Sequence, residues 1–305
     1  MTSPSPTPLP PRFDAALLGN LSSLEWRARY VMEGFLSGRH ASPFHGLSVE
    51  FREYREYQPG DDLRRVDWRL YARTDRLQVK RYEQETNARC YLLVDGSASM
   101  GYRGKTAWGE KLEGARTVAA ALGWLLLKQG DAVGLLSLDA GEGPRYLAPS
   151  RTPSQLGNLL RELEGIKPRG TPALADLLAH TVRIAHRRSL LLLLTDLLEP
   201  SEAVEEGLKR LRFDGHEVVC FQVLDGDEID FPFTGTAVFQ DLESGDRRQI
   251  QAEAARESYL ARFRAFMAGW EDLFRRLEMP HGVIRTDEDP GPALARLVAA
   301  RRVRV

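Results

Sequence analysis

The clearest pattern begins near residue 88, where short apolar runs alternate with longer segments that mix apolar and polar positions. Short apolar runs of this kind are typical of buried β-strands. The predicted strands are 88–95, 132–138, 145–149, 189–196, 216–224 and 282–286. Helical spacing of the apolar residues predicts helices at about 108–129, 152–164, 172–187, 201–212 and 252–278. Strands that alternate with helices favour an α/β fold, with a mostly parallel sheet that is covered by helices on both faces.

Two connections in this part of the chain are too short for a crossover helix. The link "SLDAGEGPRY" (137–146) is one, so we expect 145–149 to be an antiparallel strand at the edge of the sheet. The second is the segment "GTAVFQDLESGDRRQI" (235–250), which predicts a small hairpin that turns at "ESGD".

The N-terminal part of the chain has a different character. Residues 1–12 are rich in proline and are predicted to be a disordered tail. Residues 13–38 have helical spacing and end at Gly38, a typical helix stop. Charges of both signs alternate with aromatic residues over 50–85, which predicts a packed, charged flap. We therefore expect a helix and flap over 13–87 and a main domain over 88–305.

Composition excludes several classes of protein. The apolar content of 43% suits a folded core, and the net charge of −1 gives no overall attraction to nucleic acid or to an anionic membrane. Cys90 and Cys220 each lie in a strand-like run, which predicts two buried thiols and not a disulfide. The longest apolar stretch, at 118–127, is too short for a transmembrane segment, and the N-terminus lacks a secretory signal. We therefore expect a cytoplasmic protein.

Oxygen-bearing side chains follow two of the predicted strands. Asp95 ends the first strand and is followed by Ser97 and Ser99, and Asp196 ends another strand. Thr171 lies in a Gly/Pro loop just before a helix, so all five side chains can meet at the carboxyl edge of the sheet. Hydroxyl and carboxylate oxygens suit Mg²⁺, with Mn²⁺ as the next choice. Because the set does not fill six positions, a carboxylate from a protein partner can complete the shell.

Two other interpretations remain open from the residues alone. The segment "GYRGKT" (101–106) ends like a phosphate-binding loop, which suggests a nucleotide- or phosphate-binding hydrolase that uses Lys105 and Asp196. That loop requires glycine at the position of Ser99, so the match is incomplete. A Gly/Ser turn after a strand is also common in proteins that bind no metal, which suggests a structural scaffold with a vestigial site.

The pattern D-G-S-A-S at 95–99, with Thr171 and Asp196 later in the chain, resembles the metal-ion-dependent adhesion site of von Willebrand factor A-like domains. The resemblance implies a Rossmann-like fold. It assigns Asp95, Ser97 and Ser99 to the first metal-binding loop, Thr171 to the second and Asp196 to the third. It implies a non-enzymatic module that binds a protein partner through an Asp or Glu of that partner.

Residues 57–85 resemble the signature of a bacterial family of unknown function, number fifty-eight. The shared residues are Pro59, Gly60, Asp61, Arg65, Asp67, Trp68, Ala72, Arg73 and Leu77. Members carry this signature ahead of an A-like domain and are often encoded beside MoxR-type AAA+ ATPases. The resemblance therefore implies an adaptor or partner of such an ATPase, and it leaves the role of the signature itself open.

Overall fold

The computed structural model describes residues 15–37, 51–56, 71, 78–82, 89–139, 143–170, 174–198 and 202–295. The strands are β1 (Phe51–Glu56), β2 (Gln78–Tyr82), β3 (Arg89–Asp95), β4 (Ala132–Asp139), β5 (Gly143–Ser150), β6 (Leu190–Thr195), β7 (Glu217–Leu224), β8 (Thr236–Gln240), β9 (Arg247–Gln251) and β10 (His281–Arg285). The helices are α1 (Ala15–Asn20), α2 (Leu24–Ser37), α3 (Lys111–Lys128), α4 (Gln155–Gly165), α5 (Leu174–Ile184), α6 (Glu202–Phe213), α7 (Gly226–Asp230) and α8 (Ala252–Arg276), with a 3₁₀ helix at Ala98–Gly101.

The central sheet has six strands in the order β10-β7-β6-β3-β4-β5. β5 runs antiparallel to β4, and the other neighbouring pairs are parallel. This is the doubly wound arrangement, in which the strand order reverses between β3 and β6. The predicted fold class, including the antiparallel edge strand, is confirmed. The carboxyl ends of β3 and β6 therefore form the switch point where ligands bind in such sheets.

Both faces of the sheet are buried, which explains why its strands are apolar at consecutive positions and not at alternate ones. Along β3, Leu92 and Val94 face the core that contains α3 and α4. Tyr91 and Leu93 face the opposite core, which contains α5, α6 and the end of α8. The predicted burial of Cys90 and Cys220 is also confirmed.

The single helix predicted at 13–38 is wrong, because the structure has two helices, α1 and α2. The backbone carbonyl of Ser23 accepts the first helical hydrogen bond of α2, from Arg27. Serine is a favoured residue at this capping position, so Ser23 starts a new helix where the apolar spacing continues without a break. Apolar residues of α2 are buried in the core beside α3, and Arg27 pairs with Glu113 of α3 at 3.2 Å.

β1 and β2 form an antiparallel pair of their own, as do β8 and β9. The β8–β9 pair confirms the predicted hairpin. The signature residues at 59–68, 72–73 and 77 lie outside the described residues, as does the predicted tail at 1–12. The division of the chain at residue 87 therefore stays a prediction. Among the described residues, no helix combines the length and the apolar character needed to cross a membrane.

Candidate metal centre

The candidate site lies where β3 and β6 end side by side. Asp95 is the last residue of β3, and Asp196 directly follows β6. Ser97 precedes the 3₁₀ helix and Ser99 lies within it, so the chain turns back over the end of its own strand. Asp95, Ser97 and Asp196 are all buried, and Ser99 is half-buried. The structure therefore brings together four of the five side chains that the sequence placed at one edge.

The carboxylate of Asp95 is held by two hydrogen bonds. Its Oδ1 accepts a bond from the backbone N–H of Ser97 at 2.9 Å. Its Oδ2 accepts a bond from the hydroxyl of Thr195, the last residue of β6, at 2.6 Å. The second bond crosses from one strand to its neighbour, so it fixes Asp95 relative to the loop that carries Asp196.

The two serine hydroxyls face each other, with Ser97 Oγ 3.0 Å from Ser99 Oγ. Glu243, in the turn between β8 and β9, belongs to the same region: burial raises the pKa of its carboxyl, and Ser99 acts in the opposite direction. Ser97 precedes the short helix but makes no side-chain hydrogen bond that caps it. Both hydroxyls therefore lie on the side of the carboxylate of Asp95.

Negative charge accumulates at this edge. Burial raises the pKa of Asp95 to about 6, and the nearby carboxylate of Asp196 contributes to the same shift. The hydrogen bonds from Thr195 and Ser97 act in the opposite direction but do not cancel it. A bound cation would relieve this repulsion, so the donor set fits a hard divalent ion. Within the part of the chain described, no three His, Cys, Asp or Glu side chains are grouped to hold a metal, so an ion here depends on the hydroxyls.

Asp196 differs from Asp95 because a buried lysine neutralises it. The ammonium of Lys111, at the start of α3, lies 2.9 Å from Asp196 Oδ2 and 2.7 Å from Glu228 Oε1. Burial by itself lowers the pKa of Lys111, but the two carboxylates outweigh burial and hold the pKa above its ordinary value. The other oxygen of Asp196 accepts a bond from the backbone N–H of Leu198 at 3.1 Å. Asp196 is therefore oriented by the protein before any ion binds.

The residue after Asp196 has an unusual backbone conformation. Leu197 has a φ of 58°, in the left-handed region, which costs a non-glycine residue about 1–3 kcal/mol. Its N–H donates to the hydroxyl of Thr195 at 3.1 Å, and its carbonyl accepts from the indole of Trp270 at 3.1 Å. These bonds and the buried side chain of Leu197 hold the strained turn in place. Strain of this kind concentrates at functional sites.

Thr171 lies outside the described residues, so its predicted place in the site stays a prediction. The loop that leads to it is described up to Gly170. The backbone N–H of Ala98 donates to the carbonyl of Gly170 at 3.2 Å, and the N–H of Arg169 donates to the carbonyl of Gly96 at 3.0 Å. The loop therefore joins the turn that carries Ser97 immediately before Thr171.

The loop at 101–106 that resembles a phosphate cradle uses its amides within the protein. The N–H of Gly104 donates to Asp225 at 2.8 Å, and the N–H of Lys105 donates to Asp227 at 3.3 Å. A Cβ added at Gly104 would lie 2.0 Å from a carboxylate oxygen of Asp225, so only glycine permits this approach. A phosphate cradle needs these amides to be free for the ligand, and here carboxylates occupy them.

Sequence reasoning missed several residues of the site. Thr195 carries a weak signal, because it directly precedes Asp196 at the end of an apolar strand. Lys111 carries none, since it lies far from Asp196 in the chain. Its role arises because the crossover helix α3 begins at the carboxyl edge of the sheet, where Asp196 follows β6.

Known proteins of similar sequence exist in mycobacteria. The chain is 31% identical over 294 residues to an uncharacterized protein of Mycobacterium bovis, Mb1516, and this match covers 95% of the chain and 91% of the relative. The uncharacterized protein Rv1480 of Mycobacterium tuberculosis H37Rv matches with the same values.

Two solved structures and one family model also match. BatB from Bacteroides thetaiotaomicron is 15% identical with a TM-score of 0.45, over 72% of this chain and 100% of that one. The SpRpn10 VWA domain is 12% identical with a TM-score of 0.40, over 69% of this chain and 93% of that one. The model of the family described as protein of unknown function DUF58 matches residues 53–268, which is more than half of the chain, so the chain belongs to this family.

Proposed function

We propose that this protein is a non-enzymatic, Mg²⁺-dependent protein-binding module that acts as an adaptor or partner of a MoxR-type AAA+ ATPase. We propose a metal site because oxygen atoms converge at the switch point of the sheet. They belong to the buried carboxylate of Asp95, which faces Asp196, and to the paired hydroxyls of Ser97 and Ser99. Support for the ATPase comes from the resemblance of residues 57–85 to the family signature.

In this proposal, Asp95, Ser97 and Ser99 hold the ion directly, and Thr171 and Asp196 act mostly through water. The ion supplies a positive charge that binds a carboxylate of the partner. Lys111 has a specific part in this, because it already neutralises Asp196. Asp95 would then balance only part of the positive charge of the ion. The remaining charge would attract an Asp or Glu of the partner.

The experiment that tests the proposal is a calorimetric titration of Mg²⁺ and Mn²⁺ into the metal-stripped full chain. We expect saturable binding to one site, which Asp95→Ala abolishes. Asp176→Ala is a matched control, because it removes an exposed carboxylate on α5 and should bind like the wild type. Absence of binding to the wild type would contradict the metal site and leave the scaffold with a vestigial site as the better interpretation.

The partner is tested separately. Purified MoxR-type ATPase should be retained by the immobilised chain in Mg²⁺ and released by chelator, and Asp95→Ala should retain much less of it. Retention that is equal with and without chelator would show an interaction that does not use the metal site.

A further inference from the structure

Gln222 is a buried polar residue of the central sheet. It lies in β7 between Phe221 and Val223, and its side chain is fully buried. β7 is the neighbour of β6, and Gln222 is in register with Thr195, the last residue of β6. Burial of an amide is costly unless both its donor and its acceptor have partners. The partners of Gln222 therefore indicate what this side chain does.

Both groups of the Gln222 amide have partners. Its Nε2 donates to the backbone carbonyl of Asp196 at 3.0 Å. Its Oε1 lies 3.0 Å from Nε2 of His281, the first residue of β10. Because the carbonyl of Asp196 can only accept, the amide nitrogen must face it, and His281 then donates to the amide oxygen. Burial lowers the pKa of His281 to about 4, so at neutral pH its ring is neutral and carries the proton on Nε2.

His281 is itself fixed by aromatic packing. Its ring stacks on Phe274 of α8 in a nearly parallel arrangement, with the ring centroids 4.7 Å apart. Phe274 also packs on Trp270, one helical turn earlier, with the centroids 5.9 Å apart. The indole of Trp270 donates to the carbonyl of Leu197 at 3.1 Å. The ring of Phe274 therefore supports two separate contacts with the turn that follows β6.

The bond from Gln222 acts on the backbone of this turn and not on a carboxylate. The peptide unit between Asp196 and Leu197 is held at its oxygen by Gln222 and at its nitrogen by the hydroxyl of Thr195. The orientation of this peptide determines the left-handed conformation of Leu197, which persists only where surrounding groups fix it. Gln222 therefore fixes the backbone from which the side chain of Asp196 projects.

We propose that Gln222 is a positioning residue of the metal site. It does not touch the ion, but it holds the peptide after Asp196, so that the carboxylate keeps its place at the end of β6. His281 supports this role, because it fixes the orientation of the Gln222 amide. Groups that hold a ligand without touching the metal contribute strongly to metal affinity. This inference rests on the proposed function, because it requires an ion at the candidate site.

The test compares Mg²⁺ binding by the wild type, Gln222→Met and Gln155→Met, all as the full chain. Methionine is about as long as glutamine but cannot donate the hydrogen bond. Gln155 is a matched control, because it is also buried and its Nε2 donates to the carbonyls of Val133 and Ala148 at 2.6 and 3.0 Å. Val133 lies at the start of β4, at the opposite edge of the sheet. Calorimetry should show binding weakened by about tenfold in Gln222→Met and unchanged in Gln155→Met.

Amide hydrogen exchange provides a second measurement, which needs no ion. In chelator, Gln222→Met should speed exchange at Leu197 and Leu198 by about fivefold, relative to the other amides of the sheet. Gln155→Met should not have this local effect. His281→Phe keeps a ring beside Phe274 but removes the donor to Gln222, so it should change exchange and Mg²⁺ affinity in the same direction and by less.

The possible failures can be distinguished. If Mg²⁺ binds the wild type in an Asp95-dependent way and Gln222→Met binds it equally well, the positioning role is wrong and the metal site stands. Equal weakening by Gln155→Met would show a general effect of lost stability and would also overturn the role of Gln222. If Mg²⁺ does not bind the wild type, the proposed function is wrong, and the role of Gln222 toward the ion is wrong with it. Should Gln222→Met not fold, His281→Phe decides by the same criteria.

Discussion

Asp95 and Asp225 are both buried aspartates at the carboxyl edge of the same sheet, one at the end of β3 and the other directly after β7. The two carboxylates differ in the groups that surround them. Asp225 accepts three bonds, from the N–H groups of Gly104 and Asp227 and from the hydroxyl of Thr286, at 2.7–2.9 Å. Asp95 accepts two, and it faces the carboxylate of Asp196.

The difference separates a structural carboxylate from one that is placed for a ligand. Around Asp225, donors of the chain surround the carboxylate and tie the 101–106 loop to the start of α7. Around Asp95, the carboxylate of Asp196 adds a repulsion that the hydrogen bonds from Thr195 and Ser97 do not cancel. A buried charge with incomplete compensation is costly, and a bound cation is a common way to compensate it.

The largest expected effect is on stability, in the metal-stripped protein. Asp225→Ala leaves three buried donors without an acceptor and should lower the free energy of unfolding by about 4 kcal/mol. Asp95→Ala also removes an acceptor, but it relieves the repulsion with Asp196, so a change within about 1 kcal/mol is expected. Urea unfolding in the presence of chelator measures both. If both substitutions lowered the free energy of unfolding equally, Asp95 and Asp225 would be equally important for stability, and the contrast between them would be wrong.

A smaller effect is expected in the pH dependence of stability without metal. The folded-state pKa of Asp95 is raised from 3.8 to about 6, so the folded protein binds the proton more tightly than the unfolded chain. The stability contributed by protonated Asp95 is present at low pH and is lost as the pH rises through about 6, at most about 3 kcal/mol. The carboxylate of Asp196 faces Asp95, and Asp196 is itself paired with Lys111.

The measurement is a comparison of urea unfolding for the wild type and Asp95→Asn between pH 4 and pH 7, in chelator. The stability of the variant relative to the wild type should increase with pH over this range. Saturating Mg²⁺ should remove the trend in the wild type, because the ion holds Asp95 in its charged form. Parallel profiles for the two proteins without metal would show that Asp95 titrates normally.

The smallest effect concerns Lys105, which is exposed beside the amides that bind Asp225 and Asp227. Lys105→Ala should change the free energy of unfolding by less than about 0.5 kcal/mol, since it removes no buried contact. Calorimetry with ATP should detect no binding to the wild type or to the variant. ATP binding that survives Asp95→Ala and is lost in Lys105→Ala would instead favour a hydrolase.

Much of the fold was predictable from local patterns. The strands of the sheet are apolar at successive positions, because both faces are covered, and this makes them visible in the sequence. The antiparallel edge strand follows from the short link before it. The break between α1 and α2 was not predicted, because the apolar spacing runs through Ser23 and a capping residue changes the backbone without changing that spacing.

The candidate site was predictable only in part, for a physical reason. Asp95 and Asp196 stand at the ends of two strands, and parallel strands bring their carboxyl ends to one edge, so the sequence by itself placed both aspartates at that edge. The strand order, in which β3 lies beside β6, made them neighbours. What surrounds them was decided by tertiary structure. Lys111 reaches Asp196 from the start of a helix, and Thr195 reaches Asp95 from the neighbouring strand. No local pattern encodes such contacts, because they depend on how whole elements pack together and not on the propensities of neighbouring residues.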